Sequence, residues 1–85
     1  MIESSVTSVP VSVLVRGAIP SLPPDAQLAP GDDLHAAGLT SIGLVKLMLA
    51  VEAAYGVAIP DKELTPANFR SIDAIEALVR RLAAA

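Results

Sequence analysis

The chain of 85 residues has no cysteine and no tryptophan, and only one phenylalanine, one tyrosine and one histidine. Without cysteine there is no disulfide, no thiolate metal site and no thiol nucleophile. A single Phe and a single Tyr offer little surface on which bases could stack. Positive charge is also scarce: six Lys and Arg stand against nine Asp and Glu, a net charge of -3. Phosphate backbones bind basic faces, so this balance argues against nucleic acid as a partner. The start, Met1-Ile2-Glu3-Ser4-Ser5, has no basic segment, and Arg16 and several prolines interrupt the apolar stretch after it. That stretch is too short to span a bilayer. The expectation is a soluble, cytoplasmic monomer without membrane contact. No metal site is expected.

What the chain does have is Ala, Val, Leu and Ile in quantity, which suits small helices packed closely. Its length allows one domain, residues 1–85, with a modest core. Val9 to Ile19 reads as a first helix, with Ser8 as its N-cap, Pro10 in the first turn, and Gly17 and Pro20 ending it. Residues 20 to 39 hold four of the seven prolines and two glycines, and read as a long ordered loop with a turn around Asp32-Asp33-Leu34. A second helix is expected from Ser41 to Tyr55, stopped by Gly56. Val57-Ala58-Ile59-Pro60 is then an extended link, and Thr65-Pro66 opens a short helical turn through Phe69. Ser71 caps a last helix to about Leu82, with Asp73 in its first turn and Arg80 and Arg81 steadying its end. The fold class is all-α: a small four-helix bundle, three helices longer and one short, with a long first loop.

The second helix is apolar on nearly every side. Leu44, Leu47, Met48 and Val51 follow the spacing of a core face. Ile42, Val45 and Leu49 make a second stripe turned away from the first. Such a helix is either buried all round or keeps one face for a partner. So short a chain cannot easily bury it all, which favours the partner.

The run Gly38-Leu39-Thr40-Ser41-Ile42 places a serine in the first turn of that helix, just after a glycine-containing loop. As a nucleophile Ser41 would need a base held by a third group. His35 is the sole histidine, six residues away, with no orienting carboxylate in the motif. It reads as a solvated loop residue. Asp32 and Asp33 read as turn formers, because no metal-ligand spacing follows them. Lys46 and Glu52 read as solvated helix residues at the edge of a partner surface, and Met48 as a filler of core gaps. Ser41 is better suited to covalent modification. A phosphate on its hydroxyl would face the free N–H groups and positive dipole end of the helix.

Over residues 28 to 82 the chain resembles the acyl carrier protein family, a four-helix bundle with a modified serine starting helix two. The resemblance rests on Asp33-Leu34, Gly38-Leu39-Thr40-Ser41-Ile42, Leu47, Glu52, Ile59-Pro60-Asp61 and Phe69-Arg70-Ser71-Ile72-Asp73-Ala74-Ile75. It implies 4′-phosphopantetheine, taken from coenzyme A by a phosphopantetheinyl transferase and attached to Ser41. The thiol that carries cargo would then belong to the arm, and no protein thiol could compete for it. Many acyl carriers have Asp-Ser-Leu where this chain has Thr40-Ser41-Ile42, and an acidic second helix where this one has Lys46 and Glu52. Docking through Thr40, Ile42, Val45, Lys46 and Leu49 should therefore rest more on apolar contact than on charge.

The stretches Ala37–Ile42 and Leu47–Glu52 are similar to stand-alone aminoacyl carriers. In that group an amino acid:carrier-protein ligase loads a small amino acid, which a downstream acceptor enzyme collects. The resemblance implies a carrier, not an enzyme. Other readings are a carrier of fatty-acid or polyketide cargo or another acyl-loading system, an unmodified helical adaptor, and, last, a hydrolase using Ser41.

Overall fold

Proline sets where the first helix begins. The computed structural model describes residues 9–84, and in it Pro10 is the residue ahead of α1 (Val11–Ala18), with φ -58° and ψ 147°. The expected start at Val9 is thus two residues early, because Pro10 stays extended and gives its carbonyl to the N–H groups of Val13 and Leu14. The expected Ser8 cap lies outside the described residues. Gly17 does not end the helix either. It is the exposed seventh residue of α1, and Ile19 follows Ala18 as the cap.

The long connection is ordered because it buries side chains and is stitched to a distant segment. Ile19, Leu34 and Leu39 join the core. Leu34 N–H donates to the Arg70 carbonyl at 2.8 Å, and Asp73 N–H donates to the Pro30 carbonyl at 2.9 Å. The second bond satisfies a first-turn donor of the last helix that no intrahelical carbonyl could reach. The Arg16 guanidinium donates to the Ala26 carbonyl and ties α1 to the same loop. Asp32 and Asp33 form turns as expected: Asp32 accepts from Ala29 N–H, and Asp33 accepts from His35 and Ala36 N–H.

The second helix, α2, spans Ser41–Tyr55 and ends at Gly56, whose φ of 65° is left-handed and suits glycine. The last helix, α3, spans Ile72–Ala84. Ser71 caps it, its hydroxyl accepting from Ala74 N–H at 3.1 Å. The helix α1 packs against both α2 and α3. Phe69, Ile75, Leu78, Leu47, Val51, Val11 and Val15 fill the space between them.

The architecture is all-helical, three helices and one 3-10 turn at Asp61–Glu63, with no strand among the described residues. The short helix expected at Thr65–Phe69 is instead a turn. Asn68 N–H bonds the Thr65 carbonyl and Phe69 N–H bonds the Pro66 carbonyl, three residues back in each case, and no longer helix follows. Two polar roles also differ from expectation. Glu52 is not a solvated helix residue, since its Oε2 accepts from Ile59 N–H at 2.7 Å and holds the chain after Gly56 against α2. Arg81 does more than complement the end of α3. It donates to Glu63 Oε1 at 3.2 Å and Asn68 Oδ1 at 3.3 Å, fastening the turn region to that helix.

At the far end of α2, the half-buried Tyr55 donates its hydroxyl to the Val9 carbonyl at 2.7 Å. Desolvation, with Glu76 nearby, pushes its pKa above the usual tyrosine range.

Candidate functional site

Ser41 is the first residue of α2 and is exposed. The sequence builds this corner in three steps. Asp33 winds the preceding turn, and Leu39 N–H closes it on the Leu34 carbonyl at 2.9 Å. Gly38 then takes φ 114°, and a side chain there would meet Ser21 Oγ at 2.9 Å and Ile19 Cγ2 at 3.3 Å. Finally, Thr40 turns the chain into the helix. Its φ of -96° and ψ of 173° are extended, its Oγ1 accepts from Gly43 N–H at 3.0 Å, and its carbonyl accepts from Leu44 N–H at 2.8 Å. The cap is therefore made by Thr40, and the Ser41 hydroxyl is not needed for it.

Gly43 positions this corner and was not singled out by sequence reasoning. It is buried, and a Cβ there would lie 2.7 Å from the Ala18 carbonyl oxygen and 3.1 Å from Leu39 Cδ1. The end of α1 thus comes down directly on the first turn of α2. A glycine inside an otherwise strong helix costs about 1 kcal/mol relative to alanine, and that cost was the available signal.

The outer stripe of α2 is exposed as a group. Ile42, Val45 and Leu49 are 71%, 53% and 54% exposed, while Leu47 and Val51 on the opposite side are fully buried. Leu44 and Met48 are half-buried and pack on the core. Thr40 and Lys46 are exposed beside the stripe. Glu52 is drawn inward by Ile59 and is not part of this surface. His35 is exposed within the turn before α2, and Asp33 holds its backbone N–H rather than its ring. That arrangement leaves the imidazole without the orienting carboxylate a triad requires.

The chemistry open to this corner is binding and presentation. The N–H groups of Ser41 and Ile42 precede the first intrahelical bond, and they carry the positive end of the helix dipole. An exposed hydroxyl beside them fits a phosphate-linked arm, whose charge those donors would stabilise. No group of three or more metal-ligating side chains is present among the described residues. No helix there is long and apolar enough to cross a membrane.

Comparison with known proteins agrees with this geometry. A family profile described as a phosphopantetheine attachment site matches residues 13–79. Aminoacyl carrier protein 2 of Bradyrhizobium diazoefficiens is 41% identical over 78 residues, which cover 92% of this chain and 82% of that protein. The aminoacyl carrier protein of Agrobacterium fabrum is 42% identical over 64 residues, 75% of each chain. Among solved structures, the chain is similar to one in the Bradyrhizobium japonicum glycine:[carrier protein] ligase complexed with glycylated carrier protein. The TM-score is 0.70 at 34% identity, covering 80% of this chain and 90% of that one. It is also similar to a chain in the same ligase complexed with its cognate carrier protein and an analogue of glycyl adenylate, with TM-score 0.73 at 34% identity and coverage of 84% and 91%.

Proposed function

Because the chain belongs to the phosphopantetheine attachment-site family, we propose that Ser41 bears its 4′-phosphopantetheine and that its cargo is an amino acid. The protein is a carrier and not an enzyme. When bound, the arm supplies the terminal thiol on which cargo is held as a thioester, a thiol the cysteine-free chain lacks. The chain's own part is to fix the anchor and present a surface. The observation that carries this reading is the exposed Ser41 opening α2 with the cap assigned to Thr40, which leaves its hydroxyl free.

The amino-acid cargo is supported by the relatives named aminoacyl carrier proteins and by the likeness to carriers solved with a glycine ligase. Chemistry supports it too. The exposed side of α2 bears Lys46 and no free carboxylate, unlike the acidic second helix of the fatty-acid carriers. A phosphopantetheinyl transferase, an amino acid:carrier-protein ligase and a downstream acceptor would each meet the surface of Thr40, Ile42, Val45, Lys46 and Leu49. Tethering raises the effective concentration of cargo at each of their sites. In this reading residues 1–85 are one monomeric carrier domain that works in the cytoplasm. The turn at Pro66–Phe69 lies between α2 and α3, where a short helix would complete the four-helix bundle that the resemblance implies.

Intact mass after treatment with a transferase and coenzyme A tests the anchor: one arm on the wild type and none on Ser41→Ala. An arm retained by the alanine variant would exclude Ser41. Loading the modified protein from a panel of amino acids and acyl groups tests the cargo, and acceptance of long acyl chains alone would remove the amino-acid reading.

A further inference from the structure

A groove runs along the seam between α1 and α2, on the side of α2 that carries Lys46. Its larger part, about 290 Å³, is lined by Val13, Leu14, Gly17, Ala18, Lys46 and Ala50. A smaller part, about 70 Å³, shares Gly17, Ala18 and Lys46 and reaches Thr40 and Ile42, beside Ser41. The groove is therefore continuous with the apolar stripe of α2 and extends it onto α1, where Val13 is 53% exposed.

Gly17 makes the groove notable. Its φ is not in the left-handed region, and a Cβ added there would meet nothing within 4 Å. Neither backbone geometry nor packing requires glycine, yet glycine inside a helix weakens it. Among the described residues nothing packs over it, and the groove is open there. Among the described residues, Lys46 is the sole charged one lining either part. The acidic ones among them lie elsewhere, in the loop at Asp25, Asp32 and Asp33, in the turn at Asp61 and Glu63, and on α2 and α3 at Glu52, Asp73 and Glu76.

We propose that this groove is a docking site for the enzyme that loads the carrier, receiving an apolar side chain of that enzyme over Gly17 while a carboxylate of the enzyme pairs with Lys46. The proposal rests on the aminoacyl-carrier reading and extends it to α1. Charge decides the kind of partner: an apolar surface flanked by an acid complements Lys46, and a basic surface does not. Open space over Gly17 and the half-exposed Val13 supply the apolar half.

The test is the affinity of the phosphopantetheine-modified protein for the glycine:[carrier protein] ligase of Bradyrhizobium japonicum, measured by calorimetry. Gly17→Leu fills the groove from a position with room for a side chain. It should melt no lower than the wild type and yet bind roughly tenfold more weakly or worse, because the enzyme's apolar group is excluded. Val13→Glu should weaken binding similarly, since docking would bury an unpaired carboxylate. Lys46→Glu should weaken it as well, whereas Lys46→Gln should lose the salt dependence that the wild type shows. A photo-crosslinker at position 13 should capture the ligase, and one at Arg80, which does not line the groove, should not.

Wild-type affinity in Gly17→Leu and Lys46→Glu would overturn the proposal. So would failure of the wild type to bind, or sedimentation showing the groove closed by a second copy of the chain. In each case an arm still found on Ser41 by mass would leave the carrier reading standing. Loss of that arm overturns both.

Discussion

The two sides of α2 are almost equally apolar, and the fold uses only one. Gly43, Leu47 and Val51 face α1 and the core, whereas Ile42, Val45 and Leu49 face outward. Hydrophobicity alone does not separate them; position around the helix does. The difference teaches that apolar surface in a chain this small is not automatically core. The packing elements lie on one side: α1 crosses at Gly43, and Phe69, Ile75 and Leu78 close the remainder. Nothing else among the described residues covers the outer stripe, which leaves it free for the partner contacts proposed above. Ser41 opens the same helix, which joins this surface to the proposed anchor.

The buried side should be the sensitive one. Leu47→Ala removes a fully buried side chain and should destabilise the protein by about 2–5 kcal/mol. That is a large part of the stability of a small domain. Val45→Ala, a truncation to alanine on the outer side, should stay within about 0.5 kcal/mol. Urea melts of the pair measure the contrast directly, and equal losses would break the two-sided description of α2.

Gly43→Ala should come next. Alanine favours the helix by about 1 kcal/mol, but its Cβ would lie 2.7 Å from the Ala18 carbonyl oxygen. A backbone carbonyl cannot swing away as a side chain can. Overpacking of about 1–3 kcal/mol should therefore outweigh the gain, and the melt should show a net loss. The same substitution at Gly17, where there is room, should instead raise stability, so two glycines on facing helices should respond with opposite sign.

Thr40 and Ser41 give a finer contrast between adjacent hydroxyls. Thr40→Ala removes the bond to Gly43 N–H and should cost about 1 kcal/mol. Ser41→Ala should stay within about 0.5 kcal/mol because Ser41 does not make the cap. Thermal melting of both variants decides it. A larger loss at Ser41 would mean that the proposed anchor also holds the helix.

Much of this was legible in the sequence because it is local. A cap acts over three residues, so Thr40 before Ser41 and Ser71 before Ile72 mark the starts of α2 and α3, and Gly56 marks the end of α2. Asp33 likewise forms a turn with its immediate neighbours. The features that were missed depend on how the chain returns. The bond from Ile59 N–H to Glu52 exists only because Gly56 reverses the backbone. The Arg81–Glu63 pair joins residues 18 apart, and the crowding at Gly43 comes from α1. Helical spacing and capping residues do not report such contacts. The start of α1 differs from expectation for another reason: Pro10 can open a helix or precede one, and composition does not choose between them.

The smallest effect on stability, and the sharpest on recognition, is expected at Leu49→Glu. Leu49 is 54% exposed on the outer stripe, so a glutamate there leaves no cavity and stays in water. Helical signal and melting should change by no more than about 0.5 kcal/mol. Binding is different, because a partner seated on Ile42, Val45 and Leu49 would have to bury that carboxylate without a counter-charge. Truncations or charges of this kind cost several kcal/mol when desolvated, so the rate of amino-acid loading should fall by roughly tenfold or more. Leu47→Ala should show the reverse pattern, a lowered melt with normal loading of whatever remains folded. The two variants together separate a side of α2 that holds the fold from the side proposed to meet enzymes. If Leu49→Glu unfolds the protein, the outer stripe belongs to the core after all; if it folds and loads at the wild-type rate, the partner surface lies elsewhere on the molecule.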